Sequence, residues 1–128
     1  MRAHSYTLPP CRVLDTRNPT GLLGGPSLQP GATRAFDVTS SPCGIPSTAQ
    51  AISVNLAVTG PMGPGHLTLY PGDAVQAPLA STINFAASQT RANNAVSPLA
   101  SDGSGTIKVL AGTGGTVDFI LDVNGYFQ

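Results

Sequence analysis

The 128-residue chain contains no glutamate and only one lysine, Lys108. Glutamate and lysine form helix well and supply the i,i+4 ion pairs of exposed helical faces. A chain almost without them lacks the material for solvated helices. Its charge comes from five arginines and six aspartates, together with Lys108 only 9% of residues, against about 25% in an ordinary soluble domain. The surface must therefore be built from Thr, Ser, Asn and Gln. With Gly 15 and Pro 12, the composition fits short strands joined by tight turns.

Turn signals recur along the chain at Asn18-Pro19-Thr20-Gly21, Gly24-Gly25-Pro26, Gln29-Pro30-Gly31, Gly60-Pro61-Met62-Gly63, Pro71-Gly72-Asp73, Ser101-Asp102-Gly103 and Gly112-Thr113-Gly114. The runs between them are of strand length. The clearest is 51–59, where Ile52, Val54, Leu56 and Val58 alternate with Ser53, Asn55, Ala57 and Thr59. This is the period-2 pattern of a half-buried strand. In 116–127, Val117, Phe119, Leu121 and Val123 share one face, and Asp118, Ile120, Asp122 and Asn124 the other. Strands are also expected at 12–15, 33–38, 66–70, 82–85, 95–99 and 106–111, with Pro98 placing 95–99 at an edge or bulge. Gly103-Ser104-Gly105 reads as a hairpin turn. The fold class expected is all-β: an antiparallel, jelly-roll-like β-sandwich of about eight strands. With no internal repeat or linker, one domain is expected over 1–128, with 1–10 as an extended N-terminal arm.

The same composition excludes classes of partner. Nucleic-acid binding needs a basic stripe, which five scattered Arg and Lys108 do not supply. Membrane insertion is not expected, because no apolar run approaches the roughly 20 residues of a span. The segment Met1-Arg2-Ala3-His4-Ser5-Tyr6 has no apolar signal-peptide core. Export then requires either a different signal or a leader upstream of Met1.

Cys11 and Cys43 stand too far apart for a C-x-x-C redox or zinc pair, and no histidine lies at zinc-ligand spacing. Each adjoins a turn, Pro9-Pro10-Cys11 and Pro42-Cys43-Gly44. This suits a disulfide between two surface loops; the alternative is two buried thiols. A bridge of this span contributes roughly 3–4 kcal/mol in the loop-entropy model. It implies an oxidising compartment, hence an extracellular or cell-surface location.

Several strings carry a resemblance. They are Pro10-Cys11-Arg12-Val13-Leu14-Asp15-Thr16-Arg17, Ala51-Ile52-Ser53-Val54-Asn55-Leu56, Gly65-His66-Leu67-Thr68-Leu69-Tyr70-Pro71, Ser81-Thr82-Ile83-Asn84-Phe85, Arg91-Ala92-Asn93-Asn94-Ala95, and Leu121-Asp122-Val123-Asn124-Gly125-Tyr126-Phe127. In this order, over nearly the whole chain, they resemble a domain of secreted and cell-surface bacterial proteins. It has a VLDTR start and a DVNGYF end. That family occurs alone, in tandem or appended to extracellular hydrolases, and has no well-established activity. The resemblance implies an extracellular β-sandwich accessory module and supplies no catalytic residues.

Candidate sites follow from residue chemistry. Asp15 and Arg17 form either a clamp for a sugar or carboxylate, or a structural anchor in which Asp15 caps a turn and Arg17 holds loop carbonyls. Asp118 and Asp122 share a strand side, but about 13 Å of extended chain separates them, too far for a glycosidase pair within that strand. Without Glu or a G-x-S-x-G elbow, no catalytic residues and no enzyme activity are expected. Asp122-Val123-Asn124-Gly125 only faintly matches a calcium loop, so Asp122 and Asn124 read as structural polar anchors. No metal site is assigned. Ca2+ held by Asp73, Asp102 and backbone carbonyls is the one cofactor left open.

Arg91, Asn93 and Asn94 form a polar loop suited to sugar hydroxyls; the alternative is that Asn93 and Asn94 satisfy buried backbone groups. His66 should face solvent or a ligand, and Tyr6 and Tyr70 are the best stacking platforms. Phe36, Phe85 and Phe119 read as core. Two functions remain. One is a non-catalytic extracellular structural or adhesive module that self-associates into oligomers or filaments, with 5–8 as a strand exchanged between copies. The other is a carbohydrate-binding accessory module recognising cell-surface glycans.

Overall fold

The computed structural model describes residues 4–79 and 81–128. Eight strands form in chain order: β1 Ser5–Asp15, β2 Thr33–Asp37, β3 Ala51–Thr59, β4 Gly65–Pro71, β5 Ile83–Phe85, β6 Arg91–Pro98, β7 Thr106–Thr113 and β8 Asp118–Phe127. A 3-10 turn, Val38–Ser40, follows β2, capped by the Asp37 side chain accepting from Thr39 N. The strands make two four-stranded antiparallel sheets, ordered β1-β8-β3-β6 and β2-β7-β4-β5. That is the order of an eight-stranded jelly roll, a sandwich of two Greek keys.

Alternation places the core. The first sheet sends Leu14, Ile52, Val54, Leu56, Val58, Phe119, Leu121 and Val123 inward, and the second sends Phe36, Leu67, Ile83, Phe85, Ile107, Val109 and Ala111. Phe36 and Phe119 meet edge-on across the sandwich at 6.0 Å. Burying one such large side chain contributes roughly 1.5–3 kcal/mol. Cys11 and Cys43 are joined by a disulfide. The all-β sandwich, the bridge and the three core phenylalanines agree with the sequence reading.

Three local expectations fail. The first strand begins at Ser5, so the segment expected as an arm lies in its own chain's sheet, with Ser5, Tyr6 and Thr7 opposite Phe127, Tyr126 and Gly125. Pro9 and Pro10 hid it. They fall at a break in register between Thr7 and Cys11, where an edge strand tolerates missing N–H groups. Residues 1–3 of the expected arm lie outside the described residues. Next, the polar run from Arg91 to Asn94 is not a loop but the first half of β6. β6 is an edge strand, where polar side chains are common. Last, Gly103-Ser104-Gly105 is not a hairpin turn, since it joins β6 of one sheet to β7 of the other. In this topology only β4 and β5 are consecutive strands paired with each other.

Candidate functional site: the outer face of one sheet

The outer face of β1-β8-β3-β6 follows from the β3 alternation. With Ile52, Val54, Leu56 and Val58 fully buried, Ala51, Ser53, Asn55, Ala57 and Thr59 face outward. The register then sets rows across the sheet. Asn94, Asn55, Asp122 and Arg12 lie side by side, one from each strand. Ala92, Ala57 and Ile120 flank this row on one side, and Val96, Ser53, Gly125 and Thr7 on the other. The outward rows of its β3–β6 half carry no charged side chain.

Its charges concentrate at the β1 end. Arg12 Nε donates to Asp122 Oδ1 at 3.0 Å, and Arg12 Nη1 lies 3.6 Å from Asp15 Oδ2. Arg17 donates to the same Asp15 carboxylate from Nε at 3.0 Å, from Nη2 at 2.8 Å and from its backbone N at 3.0 Å. The Arg17 side chain holds the Asp15 carboxyl below its ordinary range, against the opposing effect of burial. The Arg12 guanidinium is raised in turn by its hydrogen bond and charge pairing with Asp122. Asp15, Arg17, Asp122 and Arg12 are thus joined in one group of ion pairs and hydrogen bonds, in which the Asp15 carboxylate accepts from the Arg17 backbone two residues on. Holding loop carbonyls falls instead to Arg34, which sequence reasoning missed. It donates to Pro26 O, Gly21 O and Gly25 O, and its guanidinium lies 4.7 Å from the Phe36 ring centre. The signal available was a lone arginine shortly after a Gly-Gly-Pro loop.

Each of the six aspartates has a partner. Asp118 accepts from Thr16 Oγ1 and Ser27 Oγ, Asp73 from Ser101, Asp102 from Ser104 and Asp37 from Thr39. Among the described residues no cluster of three or more His, Cys, Asp or Glu could hold a metal ion. Asp122 to Gly125 is extended strand rather than a loop. Asn124 is exposed where the ladder shifts register between Val123 and Gly125.

The other candidates do not converge. Tyr70 is buried, 5% exposed, and cannot serve as a platform. Its ladder partner Lys108 reaches Ala74 O in the connection after β4, which passes over this face of the sheet. The His66 ring lies against Gly112, its partner in the ladder, where an added Cβ would come within 2.2 Å of it. Arg91 and Asn93 project from β6 on the opposite side from Asn94, toward the second sheet. Arg91 Nη1 donates to Asn84 O and Asn93 Nδ2 to Thr82 O, tying the β6 edge to the β5 edge. These two residues fasten the sandwich, and only Asn94 belongs to the outer face. Asn55, opposite it, was legible in the alternation but not singled out.

Tyr6 is 42% exposed, as a platform needs, and its ring stacks on Tyr126 at 5.1 Å. The pair lies in the Ile52 row, on the inward side of the sheet, whereas a hollow of about 170 Å³ opens on the outer side over Gly125, edged by Ser53, Thr7 and Asn124.

No protein-family model matches the chain, and no curated protein matches it. Among solved structures it is similar to the coat protein of tobacco streak virus, with 9% identity over 94% of this chain and 85% of that one, at a TM-score of 0.41. A likeness of that degree carries no conclusion about what this chain does.

Proposed function

We propose that this chain is a non-catalytic structural or adhesive module of the cell exterior that associates with copies of itself through the β1-β8-β3-β6 sheet. The observation that carries this reading is the β3–β6 half of that sheet: its outward rows of Asn55, Asn94, Ala57, Ala92, Ser53 and Val96 are uncharged, and it ends in an edge strand with no strand paired to its outer side among the described residues. Neutral surfaces meet without like-charge repulsion, and strand edges offer ready-made hydrogen-bonding partners. The full engagement of the aspartates by structural partners favours a non-catalytic role. The Cys11–Cys43 bridge and the resemblance to secreted bacterial modules support an extracellular setting. The absence, among the described residues, of any helix long and apolar enough to cross a membrane is compatible with that setting.

Sedimentation velocity over a concentration series tests this reading. The weight-average mass should rise with concentration at physiological salt. A mass that stays monomeric throughout contradicts it.

The half-exposed Tyr6–Tyr126 stack favours a second reading, carbohydrate binding at the β1–β8 end of the sandwich. Glycan-array binding that is lost in Tyr6→Ala would support it over self-association.

A further inference from the structure

A β-sandwich has four sheet edges, and natural proteins blunt such edges with short strands, prolines, bulges and charges. Here the edge strands are β1, β6, β2 and β5. Three of them are blunted. β5 has 3 residues. β2 has 5, one of them Arg34, which is folded onto the 21–26 loop. β1 carries Pro9 and Pro10, two irregularities of register and the disulfide.

β6 carries none of these devices along most of its length. It has 8 residues, its register against β3 is uninterrupted, and its only proline, Pro98, is the last residue. Its one charge, Arg91, is at the other end and is tied to Asn84 O. Val96, in the open half of the strand, is 59% exposed.

The hydrogen-bond parity is also set. Leu99 N donates to Gln50 O, one pair beyond Ala51 and Pro98. In an antiparallel ladder, bonded and non-bonded pairs alternate. Ser97, Ala95 and Asn93 therefore bond to β3, while the N–H and C=O groups of Ala92, Asn94 and Val96 point away from it. No described residue pairs with them.

We propose that β6 is the self-association edge, on which a second copy adds antiparallel across a two-fold axis at Asn94. This deepens the self-association reading and rests on it. Asn94 then faces Asn94 of the copy, and Ala92 faces Val96. Every outward N–H and C=O of these three residues meets a partner. Of the neighbouring registers that parity allows, Asn94 opposite Val96 brings Pro98 into the ladder and leaves the Ala92 carbonyl without a donor, and Asn94 opposite Ala92 sets Val96 against Thr90, outside the strand. The Asn55–Asn94 row continues into its copy, and no charged side chain meets another at the seam. Such an interface is isologous and closed, so it yields a dimer.

The test uses the full chain and three variants. Asn94→Lys sets two like charges opposite each other and should weaken association by about tenfold or more. Asn55→Lys places the same charge in the middle of the face, one strand from the seam, and should leave association nearly unchanged. Asn94→Cys adds a thiol to a chain whose other cysteines are bonded to each other, and should give a disulfide-linked dimer under mild oxidation. Bonded antiparallel pairs have Cα atoms about 5.5 Å apart, within disulfide reach. Far-UV circular dichroism checks that each variant is folded. If the wild type associates and Asn55→Lys disrupts it as strongly as Asn94→Lys, the sheets meet face to face and the edge assignment falls, while self-association stands. Association by the wild type, with no cross-link forming in Asn94→Cys, overturns the edge assignment in the same way. A strictly monomeric wild type overturns both.

Discussion

Asp15 illustrates what a single residue does in this fold. It is buried, and three donors of Arg17 converge on its carboxylate. Its folded pKa is therefore depressed. A depressed carboxyl contributes stability that is present above the unfolded value of about 3.9 and is lost as pH falls through the folded value. Asp15→Asn should lower stability at neutral pH by about 1–3 kcal/mol, because the buried site loses its charge-assisted partners. The variant should also lose less stability than the wild type on acidification from about pH 5 to about pH 3, the range in which the unfolded carboxyl takes up its proton. Urea melts at the two pH values check both effects. Gly125 is a second residue with a specific constraint. A Cβ there would come within 2.8 Å of the Tyr6 carbonyl oxygen, a backbone atom that cannot swing aside. Gly125→Ala should loosen the N-terminal half of β1, seen as faster amide exchange at Tyr6 and Thr7.

The elements were unevenly legible in the sequence, for physical reasons. β3 was read to the residue, because one of its faces is fully buried and the other polar, so its alternation is clean. β8 was nearly as clear, although Thr116 and Val117 fall outside it; Val117 instead makes an isolated bridge to Leu28. The edges were read worst. β1 lost its first half to Pro9-Pro10, and β6 lost its first half to four residues read as loop. In both, exposure on an edge removes the hydrophobic pattern that would mark a strand. The site suffered from the same effect. That Asp15 and Arg17 pair was legible, since charges at short spacing can be read locally. Tyr70, His66, Arg91 and Asn93 could not be placed without knowing which connection folds back and which edge faces which. The disulfide pairing was legible but not its setting: it was expected between two loops, whereas Cys11 lies within β1 and only Cys43 lies in a connection, and it closes a loop of sequence separation 32. Replacing Cys11 and Cys43 together by Ser should cost about 3–4 kcal/mol. Thermal or urea unfolding of the double variant measures it, and an unchanged midpoint would show that the bridge adds nothing to stability.

At the scale of the whole molecule, a sandwich with three blunted edges and one open edge is asymmetric in a way that composition alone does not reveal. The charge-poor surface noted in the sequence becomes specific only when the topology places Ala92, Asn94 and Val96 on the same uncovered strand. The most direct measurement is residue-resolved amide hydrogen exchange of the wild-type chain in dilute and in concentrated solution. The amides of Ala92, Asn94 and Val96 should exchange quickly when dilute and become protected as concentration rises, with those at the β5 edge unchanged. Exchange at these three positions that is the same at both concentrations would contradict self-association through β6.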